Sequence, residues 1–274
     1  MRSSAYGMNF TGLPEPERAL LGGPLEGAPD VELSWRWATA VNDKMLERDG
    51  EAIMMFRRSH GAAMCRDPLR IEFHLPGPAG DQIAHPLLTT PAAVLARWLG
   101  NVTLHGGAFA RSNGSWIVLA EKEGGKSSTM AGLALRGLEV LTDDLVVVDP
   151  AGELLAGPRC VDLRSEPAAR LAVGTDLGTV SRARHRFVVA PPTPRTPLAG
   201  VVLLGWGGET AVDVQQIDLV DRLPHLHAHE LGPFGRQDPV GLLSLACLPM
   251  FRLLRPRTWD SFDPCLDALV SLSS

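Results

Sequence analysis

The residues with the strongest chemical signature lie in the stretch LAEKEGGKSSTMAGL, Leu119 to Leu133. Gly125, Lys126 and Ser127 match the end of a phosphate-cradling loop, G-x-x-x-x-G-K-[ST], with Ala120 in place of the first glycine. In such a loop backbone N–H groups curl around phosphate oxygens at the start of a helix, whose dipole favours negative charge. The lysine adds a point charge and the next hydroxyl ligates Mg²⁺. Gly124 and Gly125 permit close backbone approach. Lys126, Ser127 and Ser128 open the helix, and Ala120 is small enough for a strand exit. Glu121 and Glu123 sit where phosphates would lie. Their carboxylates must face outward, because repulsion at short range costs on the order of 1 kcal/mol even when solvated. The bland alternative is a glycine-rich turn with a solvated lysine.

Asp143-Asp144 follow Lys126 by 17 residues, at the end of the apolar run LEVLT. Carboxylates on the sheet edge that carries a phosphate loop hold Mg²⁺ or accept the proton of an attacking hydroxyl. Adjacent strand residues point to opposite faces, so one faces the transferred phosphate and the other a metal or a supporting partner. The pair also reads as a plain polar strand end. His105, 21 residues before Lys126, either orients one of these carboxylates or sits as a satisfied core histidine.

Three weaker clusters remain. Arg182, Arg184, His185 and Arg186 form a basic run that fits a mobile phosphate or substrate clamp, or a solvated loop. His225, His227 and His229 suggest a metal at first sight, but on a helix only the outer two share a face and no other ligand completes the set. Trp206, in the turn GWGG, is core or lid.

These residues need elements to position them. Strands VTLHGGAFA and SWIVLA flank the turn Arg111–Gly114; Lys126 to Arg136 is a helix closed by Gly137. LVVVD and ELLA form a hairpin around Pro150-Ala151-Gly152. A helix spans Thr90 to Leu99, residues 31–75 form a small β-rich layer, and residues 1–30 an extended, loosely packed arm. Residues 165–197 read as loop. AGVVLLGW, TAVDVQQI and MFRLLR are strands, and helices lie near 217–230, 239–248 and 261–272. The pattern predicts an α/β (α+β) fold with a small N-terminal region, 1–99, and a larger domain, 100–274, that carries the candidate site. The net charge of −5 gives no basic field for nucleic acid or an anionic membrane. No apolar run approaches the roughly 20 residues of a membrane span. Cys65, Cys160, Cys247 and Cys265 lack metal-ligand spacing and read as reduced, mostly buried thiols, which makes a cytoplasmic location the expectation.

LHGGAF, then AEKEGGKSS, then GLEVLTDDLVVVD, in this order and spacing, resembles the catalytic domain of the HPr kinase/phosphorylase family. The likeness is specific over 104–149 and weaker to about 170, where Asp162-Leu163-Arg164 stands at the family's acidic-x-Arg element. It implies a phosphoenolpyruvate carboxykinase-like P-loop core, ATP and Mg²⁺, and phosphoryl transfer to a serine hydroxyl. By position, Asp143 is then the general base supported by His105, Asp144 its metal or structural partner, and Ser127 a Mg²⁺ ligand. Asp162, Arg164, Arg184 and Arg186 become candidates for phosphate or substrate contact. D-L-R-S-E replaces the E-I-R-G-L-G run, and residues 1–95 do not match the usual N-terminal domain. The chain is therefore more similar to short stand-alone kinases that accompany ribosomally made peptides, lasso peptides among them. That implies a peptide or small-protein acceptor; charge and hydropathy give no sign of a nucleic acid or membrane partner, and a homo-oligomer is a candidate state that the resemblance does not settle. The alternatives are a nucleotide-binding sensor or scaffold without turnover, which the acidic loop suggests, and a small-molecule kinase.

Overall fold

The computed structural model describes residues 1–37, 46–57, 60–77, 82–180, 183–208, 210–231, 234 and 237–273. The first third is a seven-stranded sheet, built from β1 (Ser3–Ala5), β2 (Met8–Thr11), β3 (Asp30–Trp37), β4 (Leu46–Arg48), β5 (Glu51–Arg57), β6 (His60–Arg66) and β7 (Leu69–Leu75) in the order β1-β2-β3-β7-β6-β5-β4. A short helix, α1 (Glu15–Arg18), follows β2. Residues 1–30 are thus not a loose arm. Tyr6, Met8 and Phe10 are at most 1% exposed, and the Tyr6 N–H donates to the Ala156 carbonyl at 2.6 Å. Two strands of three and four residues are too short to show a period, and contacts distant in sequence hold them. Helix α2 (Thr89–Trp98) buries most of its surface and stops just before Gly100, whose φ of +87° favours glycine.

The remaining elements are β8 (Val102–Arg111), β9 (Gly114–Ala120), α3 (Lys126–Leu135), β10 (Glu139–Thr142), β11 (Leu145–Val148), β12 (Glu153–Leu155), β13 (Cys160–Arg164), α4 (Ser165–Arg170), β14 (Thr175–Val180), β15 (Arg184–Val188), β16 (Arg195–Trp206), β17 (Asp213–Gln216), α5 (Leu219–Ala228), α6 (Pro239–Cys247), β18 (Met250–Arg255) and α7 (Phe262–Leu272). An eight-stranded mixed sheet runs β10-β8-β11-β12-β16-β18-β17, with β9 between β8 and β16. β9, β16 and β18 are mutually parallel, so their C-terminal ends reach one edge. β9 is buried along its whole length, as a strand covered on both faces must be. The segment 165–197, expected as loop, carries α4, β14 and β15; the two strands join β13 in a three-stranded sheet. Its short polar strands lack the apolar alternation that marks a strand.

Two apolar clusters lie on either side of β9. One joins Trp116, Val118 and Ala120 to α3 and α7, and the other joins Ile117 and Leu119 to α5 and α6. A third packs the N-terminal sheet and α2 against Leu145, Val147, Leu155 and Cys160, so one core spans residues 99 and 100. Of the four free cysteines, Cys160 and Cys265 are buried, Cys65 is half-buried and Cys247 is exposed. Among the described residues no helix is long and apolar enough to cross a membrane.

Candidate active site

The loop that carries the phosphate-binding pattern leaves β9 at Ala120 and enters α3 at Lys126. Gly125 precedes the helix in the left-handed region, φ +89°, and no side chain caps the helix start. The first N–H groups of α3 are therefore left for a ligand. A Cβ on Gly125 would lie 2.8 Å from Arg255 Nη2, and one on Gly124 would lie 2.9 Å from the Ala120 Cβ. The facing glycine at 124 is what makes room for the alanine at 120.

Glu123 takes a left-handed backbone, φ +68°, which a non-glycine residue adopts at a cost. Two contacts hold it there. Trp206 Nε1 donates to its carbonyl at 3.0 Å, and Arg164 Nη2 pairs with its carboxylate at 2.6 Å. The Arg164 hydrogen bond and charge keep that carboxyl below its ordinary pKa. Its negative charge is thus compensated by Arg164 at the end of β13. Glu121 lines the cleft.

Lys126 Nζ donates to the main-chain carbonyl of Asp143 and stands 3.7 Å from Asp143 Oδ1 and 3.9 Å from Asp144 Oδ1. The two aspartates lie in the bend between β10 and β11 rather than on a strand, yet their environments differ sharply. Asp143 is 5% exposed, and its Oδ1 has no hydrogen-bond partner. Burial raises its pKa to about 6, against the opposing pull of Lys126 and a hydrogen bond from Ser127. The Asp144 side chain is 29% exposed and faces the cleft. Burial pushes its pKa up, but the charges of Lys126, His85, His105 and Arg184 outweigh it and hold the carboxyl below its ordinary value.

His105 meets Asp144, not Asp143 as the sequence led us to expect. Its Nδ1 is 3.3 Å from Asp144 Oδ1 and 3.1 Å from the Asp144 carbonyl. The antiparallel register of β8 on β11 sets His105 opposite Leu145, the residue after Asp144, and only pairing decides this. Burial, helped by Lys126, lowers the His105 pKa, so the ring is neutral near pH 7.

The basic run divides. Arg186 is fully buried, pairs with both Asp162 oxygens at 2.8 Å and donates to the His85 carbonyl at 2.8 Å. It is a structural ion pair, not a mobile clamp. Arg184 lines the cleft and donates to the Asp162 carbonyl at 3.0 Å. Arg182 lies outside the described residues. His85, 3.5 Å from Asp162 Oδ2, gave no sequence signal, since only the fold brings its segment here. His85, Cys160 and Asp162 lie close enough together to hold a metal ion, but Arg186 occupies both Asp162 oxygens. The histidines in and just after α5 have other partners: His225 Nε2 meets Arg252 at 3.1 Å, and His229 Nδ1 meets the His225 carbonyl at 2.9 Å.

The cleft has a volume of about 510 Å³ and includes Gly124, Gly125, Lys126, Ser127 and Ser128, a size in the usual range for a small-molecule site. The residues present fit a divalent cation bound with a nucleotide. Asp143 Oδ1, buried, without a hydrogen bond and 3.7 Å from Lys126 Nζ, stands beside the Ser127 hydroxyl, and these two oxygens are of the kind that Mg²⁺ takes.

No protein-family model matches the chain, and no curated protein matches it. A solved structure that does match is the HPr(Ser) kinase/phosphatase from Coxiella burnetii. It is 10% identical, the match covers 63% of this chain and 99% of that one, and the TM-score is 0.31. This is a distant structural relation, and what the cleft does chemically rests on its own residues.

Proposed function

We propose that this chain is an ATP- and Mg²⁺-dependent phosphotransferase that moves a phosphoryl group to a serine hydroxyl on a peptide or small protein. The observation that carries the reading is Asp144, a carboxylate facing the cleft between Lys126, 3.9 Å away, and His105, 3.3 Å away. On the loop, triphosphate oxygens accept hydrogen bonds from the first N–H groups of α3 and from Lys126, which gives up the Asp143 carbonyl. The base role expected for Asp143 passes to Asp144. It orients the acceptor hydroxyl and takes its proton as the new O–P bond forms and the bond to the ADP oxygen breaks. Its lowered pKa is compatible with this, because the transition state of phosphoryl transfer is loose and positioning counts for more than basicity. Neutral His105 fixes the Asp144 carboxylate. Mg²⁺ held by Ser127 and Asp143 would neutralise charge on the β- and γ-oxygens. A phosphoenolpyruvate carboxykinase-like P-loop core belongs to the same proposal.

Arg164 compensates Glu123, which weakens the reading of a nucleotide sensor without turnover. ADP release in the presence of a serine peptide library, with phosphoserine mapped by mass spectrometry, tests the proposal. Asp144→Asn should abolish transfer and keep ATP binding. Wild-type rates in that variant refute the assignment of the base. Tight ATP binding with no turnover on any acceptor points to the sensor.

A further inference from the structure

The cleft continues beyond the phosphate loop on the side away from Asp144. Because β9, β16 and β18 are parallel, Ala120, Trp206 and Arg255 emerge on one edge, with Ala120 opposite Leu204 and Trp206 opposite Arg255. β8 and the acidic bend flank the loop on one side, and Trp206 flanks it on the other. The buried Arg255 guanidinium stacks on the Trp206 ring at 4.3 Å and reaches Phe262 at 5.4 Å. Arg257, exposed to solvent, lies 5.6 Å from the same indole. Trp206, Arg255, Arg257 and Trp259 all line the cleft. The Trp206 Nε1 bond to the Glu123 carbonyl, 3.0 Å, ties the indole to the loop.

A triphosphate whose reacting end points at Asp144 must carry its other end in the opposite direction, toward this aromatic and cationic pole. We infer that Trp206, with Arg257 closing from the solvent side, is the stacking platform for the base of a nucleoside triphosphate. The inference rests on the nucleotide reading above and adds the residues that tell a nucleotide from a bare polyphosphate. Stacking addresses the π-face that every base has, and arginine adds a cation–π contribution. The platform therefore selects for the presence of a base far more than for its identity.

Calorimetric titration with two probes, ATP–Mg²⁺ and tripolyphosphate–Mg²⁺, separates the possibilities. Wild type should bind ATP more tightly than tripolyphosphate, by roughly 5- to 100-fold for one stacked base. Trp206→Ala should remove that preference, whatever loss both probes share from losing the Nε1 tie to Glu123, and Trp206→Phe, which loses the same tie but keeps a ring, should keep most of the preference. ATP should also quench the tryptophan fluorescence of wild type more than that of Trp206→Phe. Equal losses for both probes in Trp206→Ala would mean that the indole only props the loop, and would overturn the inference. So would equal affinity of wild type for the two probes. Binding of neither probe by wild type would fail the nucleotide reading itself, a visibly different result.

Discussion

Asp143 sets up a testable conflict between stability and function. Its carboxyl is buried beside Asp144, and its pKa rises from 3.8 to about 6 in the folded chain. A group whose folded pKa is raised binds its proton more tightly when folded. Above about pH 6 it is ionised in both states, and the folded state bears the full cost of a buried charge. As pH falls from 6 toward 3.8 the folded chain takes up the proton first and the cost fades. At about 1.4 kcal/mol per pKa unit, the cost above pH 6 is about 3 kcal/mol. Asp143→Asn keeps the shape and removes the charge. It should be more stable than wild type at pH 8 by up to about 3 kcal/mol, or about 5–10 °C in Tm for a chain of this size. The gap should close below about pH 4. Thermal and urea unfolding of both proteins across pH 5 to 8 measures it. Mg²⁺ with ATP should raise the Tm of wild type and have much less effect on the variant, which lacks the proposed ligand. A variant less stable than wild type at pH 8, or a gap that does not change with pH, would refute the reasoning.

Three further outcomes follow from the same contacts. His105→Gln should lower kcat, with a smaller loss than Asp144→Asn, and leave the KM for ATP little changed, because His105 touches Asp144 and not the loop; steady-state kinetics reads the split. Arg164→Ala should raise the KM for ATP up to about fivefold by exposing the Glu123 charge, and adding Glu123→Gln should reverse most of that rise; an additive double mutant would deny the pairing. Arg186→Ala, which strands the buried Asp162 carboxylate, should cost on the order of 3–5 kcal/mol in urea unfolding, where a surface clamp would cost almost nothing.

Much of the site was legible in the chain because its signals are local. The glycines before Lys126, the strand IVLA, the helix after it and the two aspartates all depend on residues close in sequence. So do the turn at Asn113-Gly114 and the helix stops at Gly100 and Gly137, where φ is +87° and +79°. Other features depend on pairing between distant segments, and these were not legible. The first thirty residues carry apolar runs too short for a period. The basic run 182–186 reads as a mobile clamp or a solvated loop until β13 and β15 pair and bury Arg186 between Asp162 and His85.

By itself the sequence determined that a loop of phosphate-binding pattern, an acidic pair and a histidine occur in one order on an α/β chain. It also posed the problem of two glutamates inside the loop. The tertiary structure decided which aspartate faces the cleft and which is buried. It decided that β8 register gives His105 to Asp144 and that Arg164 neutralises Glu123. It also decided that the ends of three parallel strands bring Trp206 and Arg255 beside the loop. The physical reason is common to all of these. Local pattern sets the elements, whereas burial, pairing register and compensation of charge exist only between segments that the fold brings together.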